Sequence, residues 1–317
     1  MVFRSTMRTK SLPPAATKTI GYAFTLIAFA YFLKHAYSSF DEISAYEWSL
    51  GQFIIILFSA SLIILIGFLS GVAWHFLLKD QGASTSFRTN LSILCTSQIA
   101  KYIPGNVGQY FGRIYFSRKN GIPLGTITLS MVIETIWLIF IAATLSVITF
   151  LLFKANKTTP AFLGNTGFIQ LLLITFICFI GPILLIRLTR LVAQITGRHE
   201  FGKLRLPNLS ISLKIWAIDL AIFVIHGLLV SIHIMLFSNG SSPDMLLNTV
   251  LYATVWLAGY IFPGAPAGLG VREAATFAIF TNFYDASTCI AISISLRIAS
   301  IIGDVLTYAI GSQLKKP

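Results

Sequence analysis

IAKYIPGNVGQYFGR, from Ile99 to Arg113, and LAGYIFPGAPAGLGVRE, from Leu257 to Glu273, follow one plan. Each leaves an apolar segment through Tyr-Ile, reaches Pro-Gly, passes small residues and arrives at Arg. Pro removes a backbone donor and Gly loosens the next turn, so neither stretch continues as a plain spanning helix. The breaks fall at Pro104-Gly105 and at Pro263-Gly264, with Pro266 adding a second interruption. Paired Gly/Pro-interrupted segments in the two halves of an apolar chain mark a translocation site in membrane proteins. Chance recurrence of YI-PG in apolar sequence is the plain alternative.

The surrounding composition sets the class. The chain has 317 residues, 56% hydrophobic and 11% charged, with mean hydropathy +0.80. Soluble domains carry about 25% charged residues. Apolar runs long enough to span recur, so the expected fold is all-α: a polytopic integral membrane bundle in one domain, 1–317. Short alternating strands of a membrane barrel do not fit these runs. The N-terminal segment 1–18 is basic and polar, and no cleavable signal is expected there. Net charge is +12, but the basic residues sit in short loops. That points to topology and anionic lipid rather than nucleic acid. Cys95, Cys178 and Cys289 lie far apart in apolar segments, so neither a disulfide nor a metal site is expected. No cofactor motif is present, and without a Gly-rich phosphate loop no ATP-driven step is expected of this chain alone.

About six full spans are expected, near 19–38, 52–78, 122–153, 167–187, 214–237 and 286–312. The first broken motif lies in 89–118 and the second in 247–283. With both as re-entrant hairpins, the two termini share a side. That side collects Arg4, Arg8, Lys10, Lys18, Lys79, Arg88, Arg118 and Lys119, and the basic loop 188–214. The opposite side receives Asp41, Glu42, Glu47 and Asp244, with Lys154 and Lys157 as its main basic residues. The asymmetry assigns both termini to the cytoplasm and the chain to the cytoplasmic (inner) membrane. The first hairpin then enters from the cytoplasm and the second from outside, as an inverted repeat produces. Non-helical backbone at membrane depth must be buried in protein or face a wet cavity, so the two breaks should meet near the centre.

KYIPGNVGQ followed by Gly112-Arg113 and then Glu134, and PGAPAGLGVREA from Pro263 to Ala274 followed by Arg297, resemble the lysylphosphatidylglycerol synthase transmembrane region. This is the flippase-like family associated with family-2 glycosyltransferases. The resemblance covers most of the chain. It implies a helical bundle with two re-entrant hairpins and a role in moving aminoacylated phosphatidylglycerol, polyprenyl-phosphate-linked sugars or other lipids. Synthase members carry a soluble aminoacyl-transferase domain after the membrane region. This sequence reaches Pro317 directly after its last span, so synthase activity is not expected of it. Thr135 departs from relatives that place a basic residue after the glutamate.

Charges inside apolar segments are the candidate site. A charge at the bilayer centre costs about 2.5–3.5 kcal/mol even on the lenient insertion scale, so such residues need partners, water or a function. Arg272 and Arg113 are candidate ligands of a lipid phosphate, because guanidinium offers a bidentate fork with permanent charge. The alternative is that they pair with Glu134, Glu273 or Asp304 and hold the hairpins in place, and Arg113 is also placed within reach of the cytoplasmic interface. Asn106 and Gln109 follow the first break, as headgroup ligands or as partners of broken backbone, and Glu273 neighbours Arg272. Glu134 and Arg297, equivalent in the two halves, are expected to form or alternate in a central ion pair. Glu134 is the candidate for proton coupling. Arg297 and Asp304 share one helical face. Asp219 is expected as an interfacial acid beside Lys214, and His75, His226 and His233 as satisfied interhelical histidines, with a proton relay as the alternative. Trp48, Trp74 and Trp256 are expected as belt anchors.

The expected function is a lipid flippase or scramblase and not an enzyme. An anionic headgroup would enter a central polar cavity while its tails stay in the bilayer. The alternative is a non-transporting membrane partner of a glycosyltransferase in envelope polysaccharide or glycolipid synthesis. A headgroup transferase using Glu134 and Glu273 is a third reading. Membrane lipids are the expected partners, with a glycosyltransferase or a second copy as further candidates. Gly67, Gly71 and Gly303 would support close helix packing within one chain or between two.

Overall fold

A computed structural model describes residues 50–103, 107–154, 207–238, 243–262 and 265–314, with scattered positions in 30–37 and 176–191. The expected spans 19–38 and 167–187, the segment 1–18 and most of the loop 188–214 lie largely outside the described residues, as do Trp48, Asn106 and the breaks Pro104-Gly105 and Pro263-Gly264. The described residues are helical, with no strand among them.

Four helices are long and apolar enough to cross a membrane. They are α1 (Leu50–Asp80), α4 (Leu124–Lys154), α5 (Leu209–Phe237) and α8 (Ala286–Gln313). They match four of the expected spans. At 31 residues, α1 is about 46 Å long, more than the roughly 30 Å of hydrocarbon. The other helices are short: α2 (Phe87–Gln98), α3 (Gly108–Lys119), α6 (Met245–Ile261) and α7 (Val271–Phe280). At 12 residues each, α2 and α3 reach about 18 Å apiece.

Polar caps start several of these helices. Ser86 accepts from Thr89 N–H at α2, Asn208 from Ile211 at α5, Asp244 from Leu246 and Leu247 at α6, and Asp285 from Thr288 at α8. Each side chain satisfies donors that the first turn leaves free.

The short helices form two antiparallel hairpins that open at opposite ends of the bundle. In the first, α3 folds back on α2 so closely that a Cβ on Gly108 would lie 2.2 Å from the Ala100 carbonyl oxygen. A Cβ on Gly112 would lie 3.1 Å from Cβ of Ser97. This is a Gly-xxx-Gly crossing, in which missing side chains let backbones approach. In the second, α7 folds back on α6, and Leu251, Val255, Phe277 and Phe280 join the core there. The open end of the α2–α3 hairpin lies with Lys79, Arg88, Arg118 and Lys119, and an Asp80–Asn208 hydrogen bond of 3.0 Å joins α1 to the start of α5 at that end. The open end of the α6–α7 hairpin lies with Asp244 and Asp285, where the Tyr284 hydroxyl reaches Asn248 at 3.0 Å.

Between the hairpins stands α8, the most enclosed of the long helices, while α1 is the least. Along α8, Gly303 packs on Ile63 and the Ala60 carbonyl, Thr307 on Gly67, and Gly311 on Cys95. Gly71 packs on Leu91. Gly67, Gly71 and Gly303 therefore serve packing within the chain. Ser92 seals the α2–α8 contact by donating to the Gly311 carbonyl at 2.7 Å.

Candidate functional site

The tips of the two hairpins meet. Tyr110 on α3 and Tyr260 on α6 share a hydrogen bond between their hydroxyls. Beside them is a cavity of about 180 Å³, walled by residues of both hairpins and of all four long helices. Gln109, Arg113, Glu134, Arg272, Arg297 and Asp304 all line it. Glu273 stands behind Arg297, lining a smaller recess shared with Arg272.

Three ion pairs order this site. Arg113 Nη1 bonds Glu134 Oε2, with the guanidinium over the Trp74 ring at 5.1 Å. Arg297 Nε donates to Glu273 Oε1 at 2.6 Å. Lys101 Nζ lies 2.8 Å from both carboxylate oxygens of Asp304, and Oδ2 also accepts from the Tyr102 hydroxyl at 2.6 Å. Glu134 and Arg297 are thus not partners of each other, which corrects the single central pair expected for them. The cause is packing: α4 lies against α3 and α8 against α7, so each charged span finds the nearer ion on its own hairpin. Arg113 is buried, 4% exposed.

The second hairpin turns in a strained loop. Pro266 opens a short 3₁₀ turn, Pro266–Gly268, in which Ala267 adopts φ 50° and Gly268 φ 74°, followed by Gly270 at φ 78°. A non-glycine residue in that region costs roughly 1–2 kcal/mol. Glu273 accepts from the Gly270 N–H at 2.7 Å with its second oxygen, and Arg297 Nη1 donates to the Ala267 carbonyl at 3.4 Å. One ion pair thereby fixes the turn, the start of α7 and α8 together.

Arg272 has no ionic partner among the described residues. No hydrogen bond is formed by its side chain there, and its Nε is buried without an acceptor. Two glycines make room for it: a Cβ on Gly259 would lie 2.4 Å from its Cγ, and one on Gly268 would lie 2.8 Å from its Nε. Of the four cations lining the cavity, Lys101, Arg113 and Arg297 are neutralised by Asp304, Glu134 and Glu273. Among the described residues, the net charge that remains is that of Arg272.

Several residues depart from their expected places. Trp74 is fully buried beneath Arg113. Trp256 lines the cavity, stacked on Tyr260 at 4.9 Å. Neither is a belt anchor, because each indole has an aromatic or cationic neighbour inside the bundle. Asp219 is not an exposed acid beside Lys214: it is 3% exposed, with Oδ2 unpartnered among the described residues, while Lys214 sits over the Phe76 ring at 4.8 Å. His75 bonds Asn90 and His233 bridges Ser59 and Ser295. His226 contacts the Ile222 carbonyl, stacks on Tyr252 and also lines the cavity. Sequence reasoning passed over Lys101, Tyr102, Tyr110 and Tyr260. The signal available was position, since each lies within a few residues of a Pro-Gly break. No group of three or more His, Cys, Asp or Glu suited to a metal occurs among the described residues.

No curated protein matches the chain at a significant level. A family model does, over residues 19–307, and that span includes both hairpins, the cavity between them and every charge that lines it. The chain is an integral membrane protein that belongs to the lysylphosphatidylglycerol synthase TM region family.

Proposed function

We propose that the protein is a lipid translocase, of flippase or scramblase type, for lipids whose headgroup carries a phosphate. The single observation that carries this reading is Arg272, a cation without an ionic partner among the described residues, in a cavity whose other cations are paired. An uncompensated buried guanidinium is costly, and a ligand anion removes that cost. In this reading α2–α3 and α6–α7 are re-entrant hairpins inserted from opposite faces, with the Lys/Arg-rich end cytoplasmic. The headgroup enters between the tyrosine-linked tips while the tails remain in hydrocarbon. The chemistry is binding and movement, not bond making.

The test is translocation of labelled phosphatidylglycerol and of a labelled polyprenyl-phosphate sugar in proteoliposomes. Wild type should move one of them, and Arg272→Ala should lose that movement while unfolding at the same denaturant concentration. Well-folded wild type that moves neither lipid contradicts the proposal.

A further inference from the structure

We propose that the α6 face carrying Tyr252, Trp256 and Tyr260 is a sugar subsite. It packs the ring of an uncharged sugar joined to its lipid through one phosphodiester, whose phosphate is held at Arg272. The inference rests on the proposed phosphate site and goes beyond it for the remainder of the headgroup.

The three aromatic residues recur at every fourth position of α6, so they share one face, a stripe about 12 Å long. All three line the cavity. Their neighbours brace them. Trp256 stacks on Tyr260 with ring centres 4.9 Å apart and meets the Phe223 ring edge to face at 5.5 Å. Tyr252 stacks on His226 at 5.0 Å, and the Tyr260 hydroxyl is held by Tyr110 across the hairpin tips. Rings fixed in this way offer rigid apolar area and lose little freedom when a ligand packs on them. The C–H face of a sugar ring is such a ligand. Arg272 stands against the same helix, since a Cβ on Gly259, next to Tyr260, would lie 2.4 Å from its Cγ. The phosphate site and the aromatic stripe are therefore neighbours, as the phosphate and the ring of one headgroup must be.

Charge and hydrogen bonding select what packs there. Aromatic faces attract cations too, so an amine headgroup is the rival occupant. The carboxylates lining the cavity are already engaged, Glu134 by Arg113 and Asp304 by Lys101 and Tyr102. Arg272 has no ionic partner among the described residues. An amine entering beside it finds no unpaired carboxylate there and meets like charge. The side-chain amides of Gln98 and Gln109 line the same cavity and make no hydrogen bond among the described residues. An amide both donates and accepts, as sugar hydroxyls do, whereas an ammonium only donates. One unpaired guanidinium balances the single charge of a phosphodiester, which sets a monophosphate link apart from a diphosphate.

The experiment is lipid binding to the purified full chain in detergent, read by native mass spectrometry. The probes are phosphatidylglucose, phosphatidylglycerol and phosphatidylethanolamine on identical acyl chains. Wild type should bind phosphatidylglucose about tenfold more tightly than phosphatidylglycerol, and phosphatidylethanolamine most weakly. Trp256→Ala should erase the preference for glucose over glycerol, and Trp256→Phe should keep most of it. Gln109→Leu, outside the aromatic stripe, should lower the same preference, so the reading survives a poorly folded Trp256→Ala. Equal binding of the glucose and glycerol lipids by wild type, or a preference untouched by both Trp256→Ala and Gln109→Leu, overturns the sugar subsite. Phosphatidylethanolamine bound as tightly as phosphatidylglucose overturns it as well. Failure of the phosphate reading looks different: Arg272→Gln would then leave the binding of all these lipids unchanged, whatever their order.

Discussion

The two hairpins place an arginine at the same step after their Pro-Gly breaks, Arg113 in the first and Arg272 in the second. The first arginine is spent on Glu134 of the following span. In the second hairpin the charges are reversed: Glu273, next to Arg272, takes the ion pair, and the following span supplies Arg297. Each half thus keeps a hairpin-to-span ion pair of opposite polarity, and in the second half Arg272 has no ionic partner among the described residues. The comparison separates structure from function more sharply than either hairpin alone. A residue type conserved in position between halves need not keep its role, because the next neighbour can take over the pairing.

The strongest way to break this comparison is to neutralise both arginines in turn. Arg113→Gln leaves the mostly buried Glu134 carboxylate without its cation, which should cost about 3–5 kcal/mol in unfolding free energy, read from denaturant titration in micelles. Arg272→Gln removes a charge that has no ionic partner among the described residues and should leave stability unchanged or raise it in the same titration, while weakening binding of anionic lipid by about ten- to a hundredfold. Equal destabilisation by the two substitutions would erase the distinction between them.

Packing at the hairpin tips gives a second contrast. Gly108→Ala drives a methyl into the Ala100 backbone carbonyl, which has no room to yield. Overpacking of this kind should cost about 1–3 kcal/mol. Gly259→Ala meets the flexible Arg272 side chain instead. It should lower lipid movement more than stability, measured as translocation rate against denaturation midpoint. Smaller still, Tyr110→Phe removes the hydroxyl contact between the tips and should cost about 1 kcal/mol.

The smallest expected effect concerns pH at the acidic end of the bundle. Burial pushes the Asp285 carboxyl up, but hydrogen bonds from Ser287 and Thr288 outweigh it and hold the group below the usual carboxylate range. Its cap on α8 is fully present above the ordinary carboxylate pKa and is lost as pH falls through the lowered value. Asp285→Asn should flatten that acid limb of the unfolding curve and leave the limb near neutral pH unchanged.

Much of this arrangement was legible in the sequence, and the reasons differ by residue. Pro and Gly declare a break locally, so both hairpins were visible, and four spans follow from their apolar length. Buried charges announce themselves because hydrocarbon tolerates few of them, so Arg113, Glu134, Arg272, Glu273, Arg297 and Asp304 were found as a set. Their pairing was not readable, because a choice among ions of similar depth depends on which helices pack together. The same holds for Trp74 and Trp256, whose position near a helix end suits a lipid interface or a cation equally well. Asp219 was misplaced because sequence distance to Lys214 says nothing of the face on which each residue stands. Lys101 and Tyr102 lie inside the first motif, but their partner Asp304 is in the last helix, a contact made only when α2 packs on α8.

The central claim is that Arg272, which has no ionic partner among the described residues, receives the lipid phosphate. Its most direct test is the rate of labelled phosphatidylglycerol movement in proteoliposomes containing wild type, Arg272→Gln or Arg272→Lys. The account expects movement in wild type, loss in Arg272→Gln and partial recovery in Arg272→Lys, with all three equally stable. Undiminished movement in Arg272→Gln would contradict it.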